Sequence, residues 1–160
     1  MSQNRTIYTE DELIPFVATP PGMLIKEEIK FRKGLTQREL ARQIGVKPSY
    51  LNEVIRGKRP ITPDFAILLE RSLGIDAGFW LRFQIGYDID RARLKDKNQM
   101  KINNIKVWQK IQQYISVKEL KRKGLLSDNL QNDIESVFKY YNVEDVDGLK
   151  DAVLKSDNDL

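Results

Sequence analysis

Thr36-Gln37-Arg38-Glu39-Leu40-Ala41-Arg42-Gln43-Ile44-Gly45-Val46-Lys47-Pro48-Ser49-Tyr50-Leu51-Asn52-Glu53-Val54-Ile55-Arg56 is the stretch whose reading decides how this chain folds. Thr36 followed three residues later by Glu39 is a capping box, so a helix starts there. Leu40, Ala41 and Ile44 then fall on one face of a short helix. Gly45 follows at once, where a chain leaving a helix sharply needs a left-handed backbone that glycine adopts cheaply. Pro48 suits the first turn of a second helix, because its missing N–H would have no partner there anyway. Leu51, Val54 and Ile55 give that helix a buried face, and Gly57 ends it.

Two short helices meeting at a glycine turn, with a small residue (Ala41) at the crossing and apolar locks at 40, 44, 46, 51 and 54, make a helix-turn-helix. An ordinary pair of core helices would share some of these features. It would not call for the whole set together with the basic Gly57-Lys58-Arg59 that follows. In such a motif the second helix protrudes far enough to enter a major groove.

Composition narrows the function classes. The 160 residues include no cysteine and no histidine, which removes disulfides, thiol nucleophiles, imidazole bases and nearly every zinc site. Acidic residues are scattered along the polar faces of expected helices, and no glycine-rich phosphate loop occurs, so no catalytic residue, metal or cofactor is expected and the chain reads as a non-enzyme. No apolar run approaches the roughly 18 residues that span a bilayer, and Met1–Arg5 lacks a signal-peptide core. A cytoplasmic location is expected. The net charge of +4 is unevenly placed: residues 20–60 hold ten Lys/Arg against four Asp/Glu, while the segments on either side are near balance. Coinciding with the motif, that excess reads as a phosphate-facing surface.

The pattern predicts an all-α protein in three parts: an N-terminal arm over 1–18, a five-helix bundle over 19–96 and an extension of about three helices over 97–160. In the arm, Thr9-Glu10-Asp11-Glu12-Leu13-Ile14 could cap one short turn before Pro15. The first helix of the bundle starts near Pro21, carries Leu24, Ile25, Ile29 and Phe31, and runs to Gly34. Thr62-Pro63-Asp64 opens a fourth helix with Phe65, Ala66, Leu68, Leu69 and Leu73 inward, stopped by Gly74. Asp76 caps a fifth helix over 78–87, in which part of Phe79, Trp80, Phe83 and Tyr87 completes the core and the rest offers a dimer face. Lys95–Asn98 reads as a polar hinge or the fraying end of the fifth helix. Beyond it, Ile102, Ile105, Trp108, Ile111 and Ile115 recur at helical spacing, with the helix carried on towards Gly124. Asp128 with Gln131 resembles a capping box for a helix with Leu130, Ile134, Val137, Phe138 and Tyr141, and a last helix carries Val146, Leu149, Val153 and Leu154.

Residues 19–94 resemble the HigA-type antitoxins of the XRE/Cro-CI helix-turn-helix family, whose fold is a five-helix, lambda-repressor-like bundle. The resemblance rests on Pro21-Gly22, Gly34-Leu35-Thr36-Gln37, Glu39-Leu40-Ala41, Gly45-Val46, Asn52-Glu53-Val54-Ile55, Gly57-Lys58-Arg59, Ile61-Thr62-Pro63 and Phe79-Trp80-Leu81. It implies a repressor of its own operon that neutralises a HigB-like, RelE-fold ribonuclease toxin. One departure is Lys47-Pro48 where the family usually opens the recognition helix with a serine or threonine cap, so no relative's operator can be borrowed. Residues 117–143 are similar to the segment after the helix-turn-helix in longer regulators that continue into an ImmA/IrrE-like zinc peptidase. That enzyme needs a His-Glu-x-x-His motif, and this chain has no histidine.

On a helix set in the major groove, Lys47, Pro48, Ser49, Tyr50 and Glu53 reach the bases. Lys47 can donate to guanine, Ser49 can pair with either kind of partner, Glu53 can accept from cytosine N4, and the proline or tyrosine can touch a thymine methyl. Gln37 at a helix start is placed for a phosphate, Asn52 can bond a phosphate or brace the turn, and Lys58 and Arg59 hold the backbone. The expected partners are double-stranded operator DNA, a second copy of the chain and the toxin, with no membrane. A stand-alone regulator whose C-terminal helices sense another partner is the alternative.

Overall fold

The structure is a computed structural model that describes residues 17–158. The reading of the arm before Val17 lies outside the described residues. Among those described there are nine helices and no strand. The chain divides between Leu94 and Lys95 into two compact units, each with its own apolar core.

The first unit comprises α1 (Gly22–Phe31), α2 (Gln37–Gln43), α3 (Pro48–Ile55), α4 (Pro63–Leu73) and α5 (Ala77–Arg93). The local signals act where the sequence places them. Thr36 Oγ1 accepts from the Glu39 N–H at 3.1 Å, Thr62 Oγ1 from the Phe65 N–H at 3.3 Å and Asp76 Oδ1 from the Phe79 N–H at 3.0 Å. Gly45, Gly57 and Gly74 all take positive φ just beyond helices. Ile25, Leu40, Leu51, Val54, Leu69 and Trp80 are fully buried at the centre.

Several expectations for this unit are corrected. α1 stops at Phe31 rather than Gly34, because Arg32 is extended (φ −100°, ψ 107°) and its guanidinium crosses to the Leu73 carbonyl at 2.5 Å. Phe31 is consequently left 82% exposed, off the core. Leu68 stands outward, since Phe65, Ala66, Leu69 and Leu73 already fill the inner face of α4. α5 runs on to Arg93 instead of ending near Tyr87, with no breaker to halt it.

The second unit comprises α6 (Asp96–Tyr114), α7 (Val117–Arg122), α8 (Leu130–Tyr141) and α9 (Val146–Asn158) around Ile111, Ile115, Leu120, Ile134, Val137 and Leu149. The long helix expected from residue 102 towards 124 is broken in two. Ile115 is extended (φ −134°, ψ 128°) and stays buried, and Ser116 caps α7 by accepting from the Glu119 N–H at 3.2 Å. Ile105 falls outside the core, because packing on α6 begins at Val107. α8 is capped by Asn129, which accepts from the Asn132 N–H at 3.1 Å, not by Asp128 with Gln131. The shift follows from the buried Asp133 carboxylate, which takes both the Ser127 N–H (2.7 Å) and hydroxyl (2.6 Å) and ties down the turn before the cap. Leu154 is turned to solvent while Val146 and Leu149 hold α9 in place. Among the described residues no helix is long and apolar enough to cross a membrane.

A Cβ on Gly22 would lie 2.2 Å from the Val54 carbonyl oxygen and 2.3 Å from the Ile55 Cα. Backbone on both sides leaves no side chain to yield. Gly22→Ala is therefore expected to force α1 away from α3 and cost about 1–3 kcal/mol, read as a lower urea midpoint of the folded chain.

Candidate nucleic-acid interface

The turn between α2 and α3 is closed by the backbone itself. The Gly45 N–H donates to the Arg42 carbonyl at 3.2 Å and the Val46 N–H to the Ala41 carbonyl at 3.0 Å, with Gly45 at φ +70°. That is a Schellman ending, and Val46 beyond it packs against the core. The same device ends α3: the Gly57 N–H donates to the Val54 carbonyl at 3.0 Å and the Lys58 N–H to the Glu53 carbonyl at 2.8 Å. The turn leading into α3 and the C-terminal end of α3 are thereby fixed by main-chain bonds.

Its three buried residues, Leu51, Val54 and Ile55, define the inner side. The helical period then sends Ser49, Glu53 and Arg56 outward, with Asn52 beside them. Lys47, Pro48, Ser49 and Arg56 are exposed, and Asn52 and Glu53 are half-buried. Lys47 gives α3 no side-chain cap. Arg56 is a cation on this face that the sequence reading left out, although its spacing from Ser49 and Asn52 is the signal that finds it.

Other expected residues have specific neighbours. Gln37, in the first turn of α2, donates from Nε2 to Asn52 Oδ1 at 3.5 Å, linking the two helices of the motif. Tyr50 is half-buried and packs on the core, its ring 5.6 Å from that of Phe65. The Arg59 guanidinium lies 5.0 Å over the Tyr50 ring and its Nε donates to Glu53 Oε2. Hydrogen bonding to Glu53 raises the Arg59 pKa above its usual value. Arg42 grips Glu39 with two hydrogen bonds of 2.9 and 2.6 Å, which hold the Glu39 carboxyl below its ordinary range. Lys58 stands exposed beside Arg59.

The basic loop after α3 is anchored by a residue the sequence reading overlooked. Gln84 on α5 is buried, accepts the Ile61 N–H at 2.8 Å and donates to Asp88 at 3.0 Å. A lone glutamine within an aromatic helix carries no sequence signal for that duty.

The four aromatic residues of α5 separate. Trp80 is 0% exposed, a core residue; this corrects its place in the expected dimer face, because the bundle closes over it. Phe79 is half-buried against the core, 4.8 Å from the Phe83 ring, and Tyr87 is half-buried with Arg91 5.4 Å over its ring. Phe83 remains exposed, as do Ile85 and Ile89 further along α5.

Fold and outward helix together define an XRE-type helix-turn-helix regulator of the DNA-binding class. The sequence pattern of the Helix-turn-helix family matches residues 25–80. Virulence-associated protein I of Dichelobacter nodosus is 40% identical over 85 residues, 53% of this chain and 78% of that protein. Virulence-associated protein A of the same organism is 36% identical over 73 residues, 45% of this chain and 72% of that protein. The chain belongs to the helix-turn-helix family of virulence-associated protein I. Among solved structures, the Pseudomonas aeruginosa antitoxin HigA with the higBA promoter is similar at 27% identity and a TM-score of 0.48, over 52% of this chain and 91% of that one.

Gln84→Leu removes the acceptor for the Ile61 N–H while filling the same space. It is expected to cost about 1–3 kcal/mol, measured by equilibrium denaturation, with faster amide exchange at Ile61 as the local signature.

Proposed function

We propose that the chain is a sequence-specific repressor that binds operator DNA as a homodimer, represses its own operon, and acts as the antitoxin to a HigB-like, RelE-fold ribonuclease toxin in the cytoplasm. The observation that carries the DNA-binding part is the outward end of α3. Lys47, Pro48 and Ser49 stand exposed on a helix fixed by its backbone, inside the segment that holds the chain's excess of positive charge. A rigid protruding helix amid cations suits a groove flanked by phosphates. Lys47 and Ser49 are assigned to base edges, Lys58 to phosphate, and Gln37 with Asn52 to bracing the motif and its phosphate contact. Phe83, Ile85 and Ile89 are the side chains of α5 that a second copy would cover. The toxin assignment rests on the HigA-type motifs quoted above. No catalytic role, metal or cofactor is assigned.

A second reading is favoured by the separate core of α6–α9. These helices lie beyond residues 25–80, where the family pattern matches, and they give a stand-alone regulator a place to sense another partner.

Expression of the full chain with its genomic neighbours, followed by affinity capture and a shift assay on its upstream DNA at two salt concentrations, tests both. A stoichiometric small basic partner with salt-sensitive operator binding supports the antitoxin. Operator binding without that partner supports the second reading, and no specific binding overturns both. Lys58→Ala is expected to weaken binding to all sequences alike and lower the log–log salt slope by about 0.9. Ser49→Ala is expected to weaken operator binding selectively.

A further inference from the structure

We propose that Tyr50, Arg59 and Glu53 form one preset reading unit, in which Arg59 serves to aim the Glu53 carboxylate at a base amino group, and does not clamp a phosphate. This rests on the DNA-binding reading above and assigns Arg59 a duty its sequence position does not suggest.

Glu53 sits on the outward side of α3, between Ser49 and Arg56. A bare carboxylate there would meet the phosphates of an approaching duplex and be repelled. Arg59 removes that charge by pairing with it. An exposed arginine–glutamate pair is ordinarily weak, since two long side chains must be held in one geometry against their own entropy. Here Arg59 is held independently. Its guanidinium rests on the Tyr50 ring, and that ring rests on Phe65, which is 3% exposed in the core. Its backbone is also held, for the Lys58 and Arg59 N–H groups both donate to the Glu53 carbonyl, at 2.8 and 3.3 Å. The cost of ordering the arginine is thus borne by contacts that exist without the pair.

Two consequences separate this arrangement from a phosphate clamp. The pair is neutral as a whole, so Arg59 displaces little of the counterion atmosphere of DNA. The carboxylate, with one oxygen taken by Arg59, keeps a second oxygen whose lone pairs suit an amino donor. In the major groove the donor that carboxylates read is cytosine N4. The unit therefore selects a C·G pair facing the outward side of the C-terminal half of α3.

The full-length chain and its E53Q, R59Q, R59K and K58Q variants would each be put through selection from randomised duplex DNA. Salt titrations on the enriched sequence would follow. The wild type is expected to enrich a motif with one C·G pair whose preference falls about tenfold in E53Q and in R59Q. R59K keeps the charge but lacks the planar fork and the stacking, so it is expected to lose most of the same preference. K58Q is expected to lower the salt slope by about 0.9 while leaving the C·G preference in place. If R59Q lowers the slope as much as K58Q and keeps the preference, Arg59 is a phosphate clamp and the proposal is overturned. Unchanged selectivity in E53Q overturns it as well. A wild type that enriches no motif would instead overturn the DNA-binding reading on which it rests.

Discussion

The passage of α1 over the end of α3 is the constraint on which the first unit depends. At Gly22 the two backbones are so close that a single methyl group would overlap the Val54 carbonyl oxygen. The C-terminal half of α3 is thereby pressed into the core, with Val54 fully buried and Ile55 nearly so. Its N-terminal end, past the turn at Gly45, is the part left to protrude. The direction in which α3 points follows from where glycine allows contact. A larger residue at 22 would alter what α3 presents before it altered any residue that α3 carries.

The electrostatics of the exposed surface are less uniform than the count of cations implies. Arg42 is spent on Glu39 and Arg59 on Glu53, and each pair leaves its arginine more firmly protonated. Lys47, Arg56 and Lys58 are the exposed cations nearest the outward end and flank of α3. A charge sum over residues 20–60 gives all these groups equal weight. The geometry does not.

Local signals carried most of what was legible in the sequence. Thr36 with Glu39, Thr62-Pro63, Asp76, Gly45 and Gly74 work through bonds within a few residues, so their spacing alone foretells the helix ends. Ser116 with Glu119 works in the same way. What escaped was set by distant packing. Phe31, Leu68, Ile105 and Leu154 fit helical stripes, yet they stand exposed, off the two cores. Trp80 and Gln84 are the sharper cases. One is an aromatic residue in a stretch that looked partly free, the other a polar residue with no signal of its own, and both are interior because α5 closes the bundle. Within the candidate interface, periodicity places Lys47, Ser49 and Glu53 outward. The joining of Glu53 to Arg59 across a glycine turn depends on backbone geometry that spacing does not reveal.

The turn before α3 and the C-terminal end of α3 are secured through amide and carbonyl groups, and every residue except proline supplies both. The frame of the motif therefore draws little on the identity of the outward side chains. Ser49 and Arg56 can be exchanged without disturbing the bonds that hold the helix. A protein built in this way can drift to a new target by point changes on one face while its stability stays where it was. Divergence in what such relatives recognise then requires no divergence in how they fold.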